Sequence, residues 1–174
     1  MNKLALTAVL LAAPLAARAD IGLRFGADAA IAYNHNDTTG THIITDNWPV
    51  GADAMLSYWL PTSMVALDAE LAEEFALKSG GGNTRIGTVL RPGIRLSPPI
   101  LPFYVRGAVP INFENNGFDR ERFDLRLGAG FTIPLVLFKV FIEADADFPL
   151  GGGTGPSTFS AWDVRLNGGL DFRF

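Results

Sequence analysis

The sequence predicts an all-β fold: an eight-stranded antiparallel up-and-down transmembrane β-barrel, preceded by a cleavable signal peptide. Three observations carry that prediction. Apolar and polar residues alternate with period two in eight separate stretches, short and long connections alternate between those stretches, and residues 1–19 have the make-up of an export signal. The clearest stretch is the last. Trp162, Val164, Leu166, Gly168, Leu170, Phe172 and Phe174 fall on one face of a strand, and Asp163, Arg165, Asn167, Gly169, Asp171 and Arg173 fall on the other.

At the start, Lys3 gives a positive end, Leu4 to Ala13 an apolar run, and Ala17-Arg18-Ala19 a small-x-small cleavage site before Asp20. That run is about half the roughly 20 residues a spanning helix needs. The expected division is therefore a signal peptide over 1–19 and one barrel domain over 20–174. Strand one runs from Ile21 to Tyr33, with Arg24 and Asp28 inward. Strand two covers Trp48 to Leu60, with Asp53, Met55 and Ser57 inward. Strand three, Met64 to Ala76, turns Asp68, Glu70 and Glu74 in. Strand four, Arg85 to Leu96, turns Arg85, Arg91 and Arg95 in and Ile86 out. Strand five, Leu101 to Phe113, turns in Tyr104, Arg106 and Asn112. Strand six, Arg122 to Ile133, turns in Arg122, Asp124 and Arg126. Strand seven, Val136 to Phe148, turns in Lys139, Glu143, Asp145 and Asp147. Each exceeds the 9 to 11 residues of a tilted spanning strand.

The connections at Pro61-Thr62-Ser63, Ser97-Pro98-Pro99 and Pro134-Leu135 are short, and those at 34–47, 77–84, 114–121 and 149–161 are longer. Outer-membrane barrels pair short periplasmic turns with longer outside loops, so both termini are expected in the periplasm. Aromatics gather at both strand ends, including Tyr33, Trp48, Phe75, Phe113 and Trp162 at the loop end and Phe25, Tyr58, Phe103, Phe131 and Phe172 at the turn end. Two such girdles around an aliphatic band are a membrane signature, and they set this chain apart from a soluble lipocalin-like barrel. Three residues resist the pattern. Pro92 cannot donate to a ladder, which predicts a bulge at Pro92-Gly93; Pro110 raises the same difficulty, and Glu73 is an acid on the outward parity.

The final eight residues, Asn167 to Phe174, resemble the carboxy-terminal β-signal of Gram-negative outer-membrane barrels. Asn167, Gly169, Phe172 and Phe174 supply the polar residue, the glycine two on, and the hydrophobics at the third-last and last positions. The resemblance implies recognition by the barrel-assembly machinery and a place among OmpA-like and OmpX-like barrels. It also implies residence in the bacterial outer membrane, among its lipid and lipopolysaccharide.

The expected interior carries ten bases (Arg24, Arg85, Arg91, Arg95, Arg106, Arg122, Arg126, Lys139, Arg165, Arg173) and eleven acids (Asp28, Asp53, Asp68, Glu70, Glu74, Asp124, Glu143, Asp145, Asp147, Asp163, Asp171). An eight-stranded barrel is too narrow for an aqueous channel, so these groups should pair across strands. Register sets Asp68 and Glu70 against Arg91 and Arg95, and Arg122 and Arg126 against Asp145 and Asp147. Asp145, Asp147 and Asp163 converge near the loop end, a set that calcium favours. Their spacing matches no calcium loop, and neutralisation by Arg122 and Arg165 is expected instead. No cofactor and no metal are expected.

The chain's 18 acids against 14 bases disfavour a nucleic-acid partner, and without cysteine it has neither disulfides nor thiol chemistry. The glycine runs Gly80 to Gly82 and Gly151 to Gly153 lack the lysine and helix of a phosphate loop. Some barrels of the resembled class are lipid A deacylases with a Ser-His-acid rim site. Here the histidines, His35 and His42, fall in the first loop, and Ser79, His42 and Glu73 could meet only by loop folding, so no catalysis is expected. The expected role is a scaffold presenting four loops to an extracellular ligand that the sequence does not name. A narrow or gated pore is the alternative, and a lipid-modifying enzyme comes third.

Overall fold

The structure, a computed structural model, describes residues 20–34, 42–44, 48–61, 64–77, 83–114, 122–150 and 162–174. Eight strands form one closed antiparallel sheet: β1 (Ile21–Asn34), β2 (Trp48–Trp59), β3 (Val65–Leu77), β4 (Asn83–Leu96), β5 (Phe103–Ala108, resumed at Ile111–Asn112), β6 (Asp124–Pro134), β7 (Lys139–Pro149) and β8 (Trp162–Arg173). A two-residue strand, His42–Ile43, folds back onto Ala32 and Tyr33. Each strand pairs with its neighbours in sequence, and β8 returns to pair with β1 from Gly22↔Arg173 to Asn34↔Trp162. Closure leaves no free edge, so both ladders of every strand are occupied.

The register fixes the girth. A path along paired residues runs Gly22, Ser57, Asp68, Gly93, Ala108, Arg126, Asp147, Asp163 and back to β1 at Tyr33. It returns eleven residues above its start, one of which is a bulge residue in β1, so the stagger is ten. With ordinary strand rise and spacing, that stagger over eight strands tilts them about 41° from the barrel axis. The lumen of so narrow a cylinder holds side chains and little else.

Side chains alternate as the sequence predicts, with two departures. β1 shifts register between Ala30 and Ala32, so Tyr33, expected outward, shares the inward face with Asp163. The second shift lies between Glu74 and Phe75, opposite the stretch from Arg85 to Gly87. Beyond it the parity of β4 inverts: Ile86 is buried in the lumen, whereas Arg85 pairs with Phe75 and is exposed outside. This reverses the expected orientations of both residues. A Cβ on Gly87 would lie 2.8 Å from the carbonyl oxygen of Glu114, so the close passage of that chain requires glycine there.

The bulge expected at Pro92-Gly93 does not form. Pro92 pairs with Ala69 and Gly93 with Asp68 without a shift, and Gly93 continues into the β5 ladder opposite Ala108. The missing donor is absorbed elsewhere. Val109 N–H donates to the Pro92 carbonyl at 2.9 Å, and β5 breaks at Val109 and Pro110 before resuming. Both prolines thus fall on one seam, where the neighbouring strand gives way.

The outer wall is apolar: Phe25, Leu56, Leu71, Ile94, Val105, Leu127 and Ile142 are all more than half exposed. The inner wall is ionic. Six of its nine buried acids face a glycine across the ladder: Asp28 with Gly51, Asp53 with Gly26, Asp68 with Gly93, Glu74 with Gly87, Glu143 with Gly130 and Asp145 with Gly128. At three of them the carboxyl group lies over the glycine: a Cβ on Gly51 or Gly128 would overlap Asp28 Oδ1 or Asp145 Oδ1, and one on Gly26 would come within 2.9 Å of Asp53 Oδ1.

One glycine serves the closure itself. At Gly169, paired with Gly26, a methyl group would overlap the backbone carbonyl of Phe25. A methyl on Gly107 would meet nothing within 4 Å. Gly169→Ala is therefore predicted to lower stability by about 1–3 kcal/mol, the usual cost of overpacking, while Gly107→Ala leaves it unchanged. Urea midpoints in detergent micelles, followed by tryptophan fluorescence, check the pair; equal midpoints would contradict the tight β1–β8 seam.

Candidate functional site

The chemistry-bearing groups of this fold are inside it. Arg24, Arg91, Arg95, Arg106, Arg126 and Arg165 are buried, together with Asp28, Asp53, Asp68, Glu70, Glu74, Glu143, Asp145, Asp147 and Asp171. Removing each ion from water costs several kcal/mol unless geometry and hydrogen bonds return it. Strand pairing supplies that geometry, since alternate residues on adjacent strands reach across the same short gap.

Towards the loop end, Arg91 binds Glu70, Glu74 at 2.6 Å and Asp28 at 3.1 Å. Arg165 binds Glu74 at 3.1 Å and Asp28 at 3.3 Å. Arg126 grips Asp147 with two parallel bonds, Nε at 2.7 Å and Nη2 at 2.6 Å, the fork geometry in which guanidinium and carboxylate match best. Towards the turn end, Glu143 accepts from Arg24 at 3.0 Å and from the Tyr104 hydroxyl at 2.6 Å. Arg95 reaches Asp68 and Asp171, both at 3.3 Å, and the Ser57 hydroxyl at 2.8 Å. Glu70 joins the two halves, because it also binds Arg106 at 2.5 Å.

Aromatic faces carry the network to the turn end. The Arg24 guanidinium lies 4.0 Å from the Phe141 ring centre and 4.9 Å from that of Tyr104. Arg95 lies 5.7 Å from Tyr104 and 5.0 Å from Trp59, and Arg173 lies 4.5 Å from Trp59. Cations over ring faces are stabilised by the ring quadrupole, more so where water is excluded. Arg173 also binds Asp20 at the rim.

The expected pairings hold for Asp68 with Arg95, Glu70 with Arg91 and Asp147 with Arg126. Arg122 departs from expectation: it is exposed at the rim, 5.6 Å over the Phe123 ring, and the ion pairs described among residues 122–150 give Asp147 to Arg126. Arg165 turns to Asp28 and Glu74 rather than to the strand-seven acids. The reason is register, because Arg165 and Asp145 face each other in the ladder while the long guanidinium reaches on across the lumen. Among the described residues no group of three His, Cys, Asp or Glu, the set of Asp145, Asp147 and Asp163 included, is placed to hold an ion. Glu73 lies on the outer wall with Arg85 and Thr88, and His35, Ser79 and both glycine runs lie outside the described residues.

The near balance expected of the interior is not realised. Arg85, Arg122 and Arg173 end outside or at a rim and Lys139 is half-buried opposite Asp171, leaving six buried guanidiniums for nine buried carboxylates. The shortfall is local. Asp53 accepts an amide bond from Asn167 at 3.3 Å and has no base within 4 Å among the described residues; Asp145 has only Arg126, at 3.8 Å. Phe141 and Trp59, both lumenal, were missed in the sequence because aromatics on the polar parity read as exceptions; the alternation itself places them inward.

Four residues of the terminal pattern do separate jobs. Asn167 bonds Asp53 in the lumen, Gly169 permits the closing contact, and Phe172 packs outside, with ring centres 6.4 Å from Phe25 and 5.8 Å from Phe138. Phe174 donates its backbone N–H to Ile21 at 2.8 Å and exposes its ring. No family model, curated protein or solved structure matches this chain.

Deleting one partner of a buried pair leaves the other charge alone. Arg126→Ala and Asp147→Ala are each predicted to cost about 3–5 kcal/mol, and the double variant less than their sum. Removing the rim partner with Asp20→Ala should cost no more than about 1 kcal/mol. Denaturant midpoints of the four variants provide the test; additivity at Arg126 and Asp147 would mean that water screens the lumen.

Proposed function

We propose that the chain is an outer-membrane barrel of the non-conducting kind, a scaffold that holds four loops outside the cell with both termini in the periplasm. The observation that carries this reading is the inside-out wall: exposed Leu, Ile, Val and Phe over most of the described exterior, and a lumen filled with paired ions. An exposed apolar surface of that extent is unfavourable in water and favourable in hydrocarbon. Backbone closure supports the same reading, since an open sheet edge in lipid leaves donors and acceptors unsatisfied. The outer-membrane lipids, lipopolysaccharide among them, are then the surroundings of the wall, and the loops are where an extracellular ligand would bind. In this reading the barrel performs no catalysis.

A filled lumen predicts planar bilayers without discrete conductance steps when the purified barrel is inserted. A second reading is favoured by one feature, the three surplus carboxylates with Asp53 and Asp145 poorly neutralised. Such a lumen selects cations if it opens. Cation-selective steps in the same recording would overturn the scaffold and support the pore.

Asn167, Gly169, Phe172 and Phe174 support assembly by the barrel-insertion machinery. Phe174 makes one backbone bond and otherwise exposes its ring, so its loss costs the folded barrel little. Deleting Phe174 is therefore predicted to reduce folded, heat-modifiable barrel in the membranes of cells, while the purified variant still refolds in detergent. Unchanged levels in cells would contradict the assembly role.

A further inference from the structure

Two of the short turns are apolar and stand free of the barrel. In the turn between β6 and β7, Val136 is 99% exposed and Leu137 83%; in the turn between β4 and β5, Ile100 is 92% exposed. Leu101 and Leu135 beside them are exposed as well. The turns are neighbours on one rim, because β5 pairs with β6 and the Thr132 N–H donates to the Pro102 carbonyl at 2.8 Å. No charged residue occurs in 96–105 or in 127–138.

The opposite side of the same rim is polar. Arg173 binds Asp20 where β8 meets β1, and the sequence after β2 reads Pro61-Thr62-Ser63. The apolar face of β1 therefore ends at Ile21, next to Asp20, whereas that of β6 runs past Ile133 into Leu135 and Val136. Phe103 and Phe131, with ring centres 5.2 Å apart, stand where an aromatic girdle marks the membrane boundary. Ile100 and Val136 lie beyond that girdle, where side chains would otherwise meet water.

An exposed apolar patch marks contact with a protein or with a membrane, and the backbone here decides between them. Pro98, Pro99 and Pro102 have no N–H to give. Ser97 N–H donates to the Met64 carbonyl at 2.8 Å, Leu101 to Pro98 at 3.2 Å and Leu135 to Phe138 at 2.8 Å. Turns built this way offer a protein few of the hydrogen bonds that an interface carries about once per 100–200 Å². For the same reason they lose little in hydrocarbon, where each unsatisfied backbone group is costly.

We propose that the β4–β5 and β6–β7 turns insert into the acyl chains of the leaflet on the turn side, so that the barrel sits tilted. Its β5–β6 side is sunk, and the Asp20–Arg173 rim lies at the headgroups. The partner is lipid hydrocarbon, with no headgroup preference. The proposal rests on the reading of the outer wall as membrane-facing.

The chain has no cysteine, so single cysteines can carry an environment-sensitive fluorophore. The variants are V136C and I100C on the apolar turns, P61C on the opposite turn and I142C on the wall. Each is refolded into phosphatidylcholine vesicles with or without bromine on the acyl chains, and folding is checked by heat-modifiable mobility. Bromolipid should quench V136C and I100C as deeply as I142C, while P61C keeps its fluorescence. If V136C and I100C keep theirs as P61C does while I142C is quenched, the insertion is wrong and the membrane reading stands. Deep quenching of P61C as well would overturn the tilt. Quenching of V136C that disappears as the protein-to-lipid ratio rises would put a second copy on the turns in place of lipid, and overturn the proposal. An unquenched I142C would overturn the membrane reading and this proposal with it.

Discussion

Guanidinium–carboxylate pairing in a space too narrow for bulk water is the interaction on which the rest of this barrel depends. Eight strands with a stagger of ten enclose a cylinder that side chains fill, so every lumenal ion loses its hydration on folding. Six arginines then act as cross-braces. Arg91 ties β4 to β1 and β3, Arg165 ties β8 to the same two, and Arg24 ties β1 to β7 and β8. Three of these ties, Arg91 to β1, Arg165 to β3 and Arg24 to β7, span strands that the backbone ladder does not join, and thereby fix the cross-section as well as the register.

Glycine makes the pairing sterically feasible. A carboxylate in so tight a lumen has to lie sideways over the adjacent strand, and Asp28, Asp53 and Asp145 do so over Gly51, Gly26 and Gly128 in the facing positions. Tyr104 does the same over Gly130, where a methyl group would overlap its ring. The glycines therefore act as seats for neighbouring side chains, which is a packing role rather than a conformational one. The same economy operates at the seam, where Gly26 opposite Gly169 lets β1 and β8 approach closely enough to close the sheet.

The alternation in the sequence exposed the strand number, the strand order and most lumenal residues, because a period of two leaves little freedom once one face is ionic and the other apolar. What it could not expose is where the period slips. The shifts at Ala30/Ala32 and Glu74/Phe75 displaced Tyr33, Arg85 and Ile86 from their expected faces, and neither shift carries a proline to announce it. Proline drew attention to Pro92-Gly93, yet an antiparallel ladder tolerates a missing donor if the partner strand breaks, as β5 does at Val109 and Pro110. Side-chain partners were legible only between adjacent strands. Arg165 with Glu74, and Arg24 with Tyr104, meet across the lumen, and no local spacing encodes such a contact.

The account stands on a lumen that is dry and ionically locked. Arginine-selective ¹⁵N NMR of the barrel in micelles measures this directly, through exchange of guanidinium Nε–H protons with water. Six arginines, Arg24, Arg91, Arg95, Arg106, Arg126 and Arg165, should give dispersed resonances that persist on exchange, while Arg85 and Arg122 exchange freely. If the six exchange as fast as those two, the lumen is hydrated and the locked-plug account is wrong.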